Sequence, residues 1–148
     1  MRLTVTTPLA IILDVEDVMH VRAEDETGAF GILTGHADFL TALTVSVVSW
    51  RDAQEAQHYV AVHGGMLEVR GGKAIAIATR EAVPGDDLDR LETEVLARFR
   101  RQLAEEQAAR KDAQRLYLAA IRQICRYLRP GRSAARPGVR IADELEGG

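Results

Sequence analysis

At 148 residues the chain has room for one ordinary domain, or for a small domain carrying an appendage. Hydrophobic residues make up 47% and charged residues 28%, which supports a packed core and excludes a disordered polymer. The single cysteine, Cys125, excludes an internal disulfide framework and any paired-cysteine metal or redox motif. No stretch of about 18 apolar residues is present and no apolar signal segment follows Met1, so the expectation is a soluble, cytoplasmic chain that meets a membrane only through a partner.

The net charge of −3 hides a division along the chain. Residues 1–85 hold eleven acidic and six basic side chains, a net −5, whereas residues 98–140 hold three acidic and twelve basic ones, a net +9. Such asymmetry points to a charged partner for the basic segment, either nucleic acid or an acidic protein surface.

Up to about residue 80 the apolar pattern has the period of strands. Strands are expected at Leu3 to Thr7, Ala10 to Asp14, Val18 to Glu24, Thr44 to Arg51, Gln57 to His63, Met66 to Arg70 and Lys73 to Ala78. Gly64-Gly65 and Gly71-Gly72 read as two-residue hairpin turns, which makes the last three strands an antiparallel meander. Its final strand, Ala74-Ile75-Ala76-Ile77-Ala78, is apolar on both faces, so it is expected inside a sandwich or flattened barrel, its alanines facing a second sheet or a helix.

Pro84-Gly85 ends the strand region and Asp86 stands where a helix N-cap belongs. Leu88, Leu91, Val95, Phe99 and Leu103 then recur at helical spacing as one stripe. A second stripe, Ala113, Leu116, Tyr117, Ala120, Ile124, Tyr127 and Leu128, runs to Arg129-Pro130-Gly131. Between them Ala104 to Lys111 contains neither glycine nor proline, and permits a helical hairpin or one extended helix. The fold class is therefore α+β: an N-terminal flattened antiparallel β-sandwich or barrel over residues 1–84, a helical arm over 85–129, and a tail over 130–148 expected to be disordered.

Opposite the second stripe, Lys111, Arg115, Arg122, Arg126 and Arg129 fall within a narrow arc, and no acidic residue follows Asp112 on that helix. A face that is merely solvated mixes acids with bases in i, i+4 pairs. Nucleic-acid binding is the alternative reading, but the sequence pI of about 5.8 and the placing of Tyr117 and Tyr127 on the apolar stripe weigh against it. Gly71-Gly72-Lys73 lacks the other residues of a phosphate loop, His36 and Asp38 alternate along the backbone without a third ligand nearby, and His20, His58 and His63 lie on expected strands in no ligand spacing. With no nucleophile, acid-base pair or cofactor motif, the chain is expected not to be an enzyme and to hold no metal or cofactor.

The stretch Gly28-Ala29-Phe30-Gly31-Ile32-Leu33-Thr34-Gly35-His36-Ala37-Asp38-Phe39-Leu40-Thr41-Ala42-Leu43, followed by His63-Gly64-Gly65-Met66-Leu67-Glu68-Val69 and the acidic helix start in Ala82 to Leu91, resembles the epsilon subunit of F-type ATP synthases over about residues 1–128. The resemblance implies a ten-strand sandwich followed by a helical hairpin. It also implies a non-catalytic rotor-stalk subunit for ion-gradient-driven ATP synthesis, on the cytoplasmic face of the membrane. The gamma subunit, the c-ring and the catalytic beta subunits would be its partners, and the helices would restrain ATP hydrolysis. Phe30, Gly31, Thr34, Gly35, His36 and Asp38 would then face the ring loops and the foot of gamma, and the cationic face would meet acidic loops of the catalytic subunits. Thr34 and Asp38 replace two prolines of the family pattern, and Glu92 replaces the arginine of the Leu-Asp-x-x-Arg-Ala stretch with which some members bind ATP. The polar connector and tail fit a divergent branch, of which the alternative sodium-linked type is one example, and the sequence leaves proton and sodium coupling both open.

Overall fold

The computed structural model describes residues 1–128, so Arg129 and the expected tail lie outside the described residues. Two structural units make up the chain, Met1–Leu103 and Ala104–Gly148.

The first unit holds eight strands: β1 (Arg2–Thr6), β2 (Ile11–Val15), β3 (Val18–Asp25), β4 (Gly28–Leu33), β5 (Phe39–Asp52), β6 (Gln57–Arg70), β7 (Ala74–Ala78) and β8 (Ala82–Gly85). They are arranged in the order β2-β1-β7-β6-β5-β3-β4, with β8 beside β6, and the two ends of the sheet do not meet. Two layers arise because β5 and β6 serve both. Tyr59–Val62 of β6 pairs with β8, whereas Met66–Arg70 pairs with β7. Between these halves stand Gly64 and Gly65, with φ of +69° and +115°. The pair Gly64-Gly65 is therefore a corner within one 14-residue strand and not the expected hairpin turn. The register with β5 is the same on both sides of it, Leu43 opposite Gly65 and Val45 opposite His63. Glycines meet a sharp bend as well as a reversal, because both demand positive φ. The ten strands implied by the resemblance become eight, with β5 and β6 each crossing from layer to layer.

Alternation on these strands sorts two clusters. Leu3, Val5, Val21, Val48, Trp50, Val60, Val62, Leu67, Ile75 and Ile77 fill the space between the layers. On the opposite face of β5, β6 and β8, Ala61 is covered by Leu91, Leu96 and Phe99 from the first helical turns, with Val45, Val47, Tyr59 and Val83 around them. The expectation for β7 needs correction: Ile75 and Ile77 are buried, but Ala74, Ala76 and Ala78 are exposed instead of facing a sheet or helix. Small apolar side chains on a strand leave its burial open, since they lose little by staying in water.

Helix α1 (Leu88–Arg90) is capped by Asp87, whose side chain accepts from the Arg90 amide. A π-helical turn, Leu91–Val95, joins it to α2 (Leu96–Tyr127), which runs 32 residues without a break, about 48 Å at 1.5 Å per residue. Of the two forms left open by the connector, the structure has the continuous helix; the hairpin implied by the resemblance is not formed among the described residues.

The β5–β6 turn carries a histidine–carboxylate hydrogen bond that no sequence motif announces. His58 Nε2 lies 2.8 Å from Asp52 Oδ2, and the His58 ring stacks on Trp50 with centroids 5.4 Å apart. The Asp52 carboxylate also accepts from the Gln54 and Ala56 amides. The His58 hydrogen bond first, and these amides after it, hold the Asp52 carboxyl below the usual carboxylate range. A carboxyl with a lowered folded pKa brings stability that is complete above its unfolded value, about pH 4, and is lost as pH falls through the folded value. Asp52→Asn is expected to flatten the acid side of a Tm-against-pH curve. An unchanged acid limb in scanning calorimetry would show that the pair contributes nothing.

Candidate partner-binding surfaces

Two groups of expected contact residues belong to the two different units. In the first unit Phe30 and Gly31 lie on β4, Thr34 and Gly35 form a turn, and His36 to Asp38 leads into β5. Local chemistry holds this ridge in one shape. The Gly35 amide donates to the Gly72 carbonyl at 2.9 Å, the His36 amide to the Leu33 carbonyl at 3.1 Å, and Asp38 Oδ1 accepts from the Gly71 amide at 2.8 Å. Asp38 thus ties the ridge to the β6–β7 turn, a role that a proline at this position could not take. Gly35 has φ of +87°, and a Cβ on Gly72 would sit 2.7 Å from the Gly35 Cα, so the two turns touch through backbone.

Aromatic edges brace the same ridge. Phe39 meets the Phe30 ring at 5.6 Å and the His36 ring at 5.7 Å, both edge to face. Beneath, Asp25 Oδ1 accepts from the Thr27 hydroxyl and amide and Oδ2 from the Thr41 hydroxyl. Those bonds, the Thr27 hydroxyl foremost and Thr41 next, hold the Asp25 carboxyl below its ordinary range, so it stays a charged acceptor at neutral pH. The outer side of the ridge is apolar and open: Leu33 is 61% and Leu40 63% exposed. Neither leucine was singled out by sequence reasoning. Their places two residues from a glycine turn and at the start of a long strand gave the only signal.

In the second unit Lys111, Arg115, Arg122 and Arg126 succeed one another on a single exposed helix face, and Arg129 lies outside the described residues. The opposite stripe is exposed too, Leu116 at 73%, Tyr117 at 67%, Ile124 at 55% and Tyr127 at 90%. A helix with both faces bare presents two chemistries at once, an apolar stripe for area and a cationic face for orientation.

Among the described residues no three histidine, cysteine or carboxylate side chains are grouped to hold a metal ion. Glu92 stands on the rim of a cleft of about 510 Å³, with Leu88, Leu96 and Arg100 from the helix and Arg22 and Tyr59 from the sheet. Among the described residues no helix is long and apolar enough to cross a membrane.

Comparison with known proteins gives a consistent result. Residues 1–85 match the family model for the β-sandwich domain of the ATP synthase delta/epsilon chain. The chain is 42% identical over 135 residues to ATP synthase epsilon chain 2 of Paraburkholderia xenovorans, covering 91% of this chain and 97% of that one. It is 45% identical over 130 residues to ATP synthase epsilon chain 2 of Cereibacter sphaeroides, covering 85% and 86%. Among solved structures it resembles a chain in the Euglena gracilis mitochondrial ATP synthase OSCP/F1/c-ring assembly, with a TM-score of 0.55 and 25% identity over 72% of this chain and 62% of that one, under two thirds of the Euglena chain. A chain of the Tetrahymena thermophila ATP synthase central stalk and c-ring shares the fold, with a TM-score of 0.50 at 17% identity over 71% and 91%.

Proposed function

Because this chain belongs to the epsilon-subunit family of F-type ATP synthases, and is therefore a non-catalytic stalk subunit, we propose that it couples rotation of a c-ring and gamma shaft to the catalytic head through its sandwich, and restrains ATP hydrolysis through its helix. The observation that carries this reading is the pairing of a backbone-tied apolar ridge in one unit with a helix bare on both faces in the other. Coupling transmits torque, so its contact surface must not yield. The ridge meets that need with the Gly35 amide and the Asp38 carboxylate each tied to the β6–β7 turn, and with Phe39 packed edge to face on Phe30 and His36, instead of a flexible loop. Phe30, Gly31, Thr34, Gly35, His36 and Asp38 would face the ring loops and the foot of gamma.

The helix asks for the opposite property. Its large apolar side chains stand in water, which favours burial against whatever surface offers itself. Lys111, Arg115, Arg122 and Arg126, with Arg129 beyond them, select an acidic surface, as loops of the catalytic subunits would provide. Protons and sodium ions are both open as the coupling ion, and the sodium dependence of ATP hydrolysis by the complex decides between them.

Co-purification tests the coupling reading. A tagged chain is expected to bring down gamma and the catalytic subunits; recovery of RNA or ribosomes without them would replace it with the nucleic-acid adaptor. Deleting residues 104–148 is expected to raise ATP hydrolysis by the purified complex several-fold with assembly intact. Arg115→Glu, Arg122→Glu and Arg126→Glu together should reproduce the deletion, and the difference should shrink with added salt. Hydrolysis that stays at the parental rate in both variants removes the restraining role and leaves the coupling one.

A further inference from the structure

Among the described residues three strands of the sandwich, β2, β8 and β4, pair on one side only, and two of the three are guarded. An open edge offers unpaired amides and carbonyls to any passing strand, so folded proteins blunt it with a bulge, a charge, a proline or shortness. On β2 the register against β1 leaves Ile12 unpaired at a bulge, and Asp14 is held there by two hydrogen bonds from Arg2. Strand β8 has only four residues and carries Pro84. Strand β4 has none of these devices. It runs Gly28-Ala29-Phe30-Gly31-Ile32-Leu33 without a charged residue or a proline, and it pairs with β3 at six consecutive positions without a shift, so its free side is regular as well.

We propose that the free side of β4 is a strand-addition site, taken by an extended segment of a neighbouring subunit that carries a carboxylate opposite Gly31. Opposed residues of an antiparallel pair alternate between exchanging both backbone bonds and exchanging none, so every second amide of β4 points away from β3 and is open to a further strand. The charge of the incoming residue follows from the exposed face. There Gly31 stands opposite Arg22, and Leu33 opposite His20. Gly31 brings no side chain, and the half-buried His20 ring leans over it, with Nε2 2.8 Å from where a Cβ would stand. Neither His20 nor Arg22 has a hydrogen-bond or ion-pair partner in its side chain among the described residues. The side chain beside Gly31 on an added strand, about 4.8 Å away, would meet the imidazole edge and lie within reach of the guanidinium, which together select a carboxylate. A second copy of this chain fits the place less well, because β4 brings no carboxylate to it. The inference rests on the coupling reading and deepens it, since a backbone ladder spreads torque over several hydrogen bonds at once.

Residue-resolved hydrogen exchange tests it, on the isolated full chain and on the purified ATP synthase complex that contains it. Alternate amides within residues 28–33 are expected to exchange rapidly in the isolated chain and on the order of 100-fold more slowly in the complex, because only a new hydrogen bond confers protection of that size. Arg22→Glu should give back about tenfold of that protection, and Arg22→Lys should give back less, while the chain stays in the complex. Alternate amides that remain fast in a complex retaining the chain overturn the strand addition and leave the coupling reading standing. A chain that fails to co-purify with the complex overturns both. Slowing that already appears in the isolated chain and grows with its concentration would assign the edge to a second copy, and protection unaffected by Arg22→Glu would remove the carboxylate from the occupant; either result overturns the proposal.

Discussion

Gly65→Ala is expected to remove a large share of the stability of the sandwich, about 2–6 kcal/mol. A Cβ at this position would drive into the Ala78 carbonyl oxygen and lie 2.9 Å from the Thr79 Cα, and the φ of +115° is one that an alanine adopts only under strain. The backbone strain is worth about 1–3 kcal/mol and overpacking about another 1–3 kcal/mol, against a total stability of about 5–15 kcal/mol for an ordinary domain. Relief is hard to find, because the obstacle is the main chain at the end of β7 and not the tip of a side chain. Gly71→Ala is the matched control: its φ is +60°, but nothing lies within 4 Å of the added carbon. Urea denaturation should place Gly71→Ala only modestly below the parent and Gly65→Ala far below both. Equal losses in the two variants would mean that the corner has slack, and the account of β6 as a strand folded between layers would need revision.

Phe99→Ala is expected to cost about 3–5 kcal/mol, the range for removing a fully enclosed phenyl ring. The loss should be local. Phe99 packs edge to face on the His63 ring at 5.0 Å and belongs to the outer cluster with Ala61, Leu91 and Leu96, separate from the core between the layers. Neighbouring Arg98 lies 5.3 Å over the Phe99 ring and bonds Glu81 at 2.7 Å, an exposed pair too weak to hold the helix alone. The sandwich carries its own reporter, Trp50, the chain's one tryptophan, which is 6% exposed in the inner core. Helical signal should therefore melt well before Trp50 fluorescence changes in Phe99→Ala, whereas the parent should lose both more nearly together. Coincident early melting of both signals would place the helix start inside the cooperative unit of the sandwich.

Much of the architecture is written in local patterns, and the misreadings share one cause. The strand stretches of β1, β2, β3 and β7 alternate or carry β-branched residues, and these patterns mark their positions directly. The short edge pieces β4 and β8 do not announce themselves, because Gly28, Gly31, Pro84 and Gly85 read as loop. Gly64-Gly65 shows that positive φ is legible while its use is not: bend and reversal demand the same residues, and only the pairing of β6 with both β7 and β8 separates them. The helical stripe is legible as amphipathic, but Val95 and Leu96 are equally apolar neighbours, so periodicity alone selects the regular α phase that the structure does not have. Of the candidate surfaces, the cationic arc follows from helical spacing, whereas the ridge from Phe30 to Asp38 rests on the family resemblance. The tie from Asp38 to Gly71 and the pairing of Asp52 with His58 were not, since each depends on residues brought together by the fold.

Strand β1 sits in the interior of the sheet, antiparallel to β2 and parallel to β7, with Leu3 opposite Ile75 and Val5 opposite Ile77. In a chain made from its N-terminal side, β1 must therefore wait for the seventies before its second neighbour exists. Until then Leu3 and Val5 have only a hairpin with β2 to shelter them, and a two-stranded hairpin is marginal in water. The sandwich cannot close progressively from its beginning; it closes late, as β7 slots in beside β1. Closure of the sandwich thus depends on Ala74–Ala78 being free to pair with Arg2–Thr6.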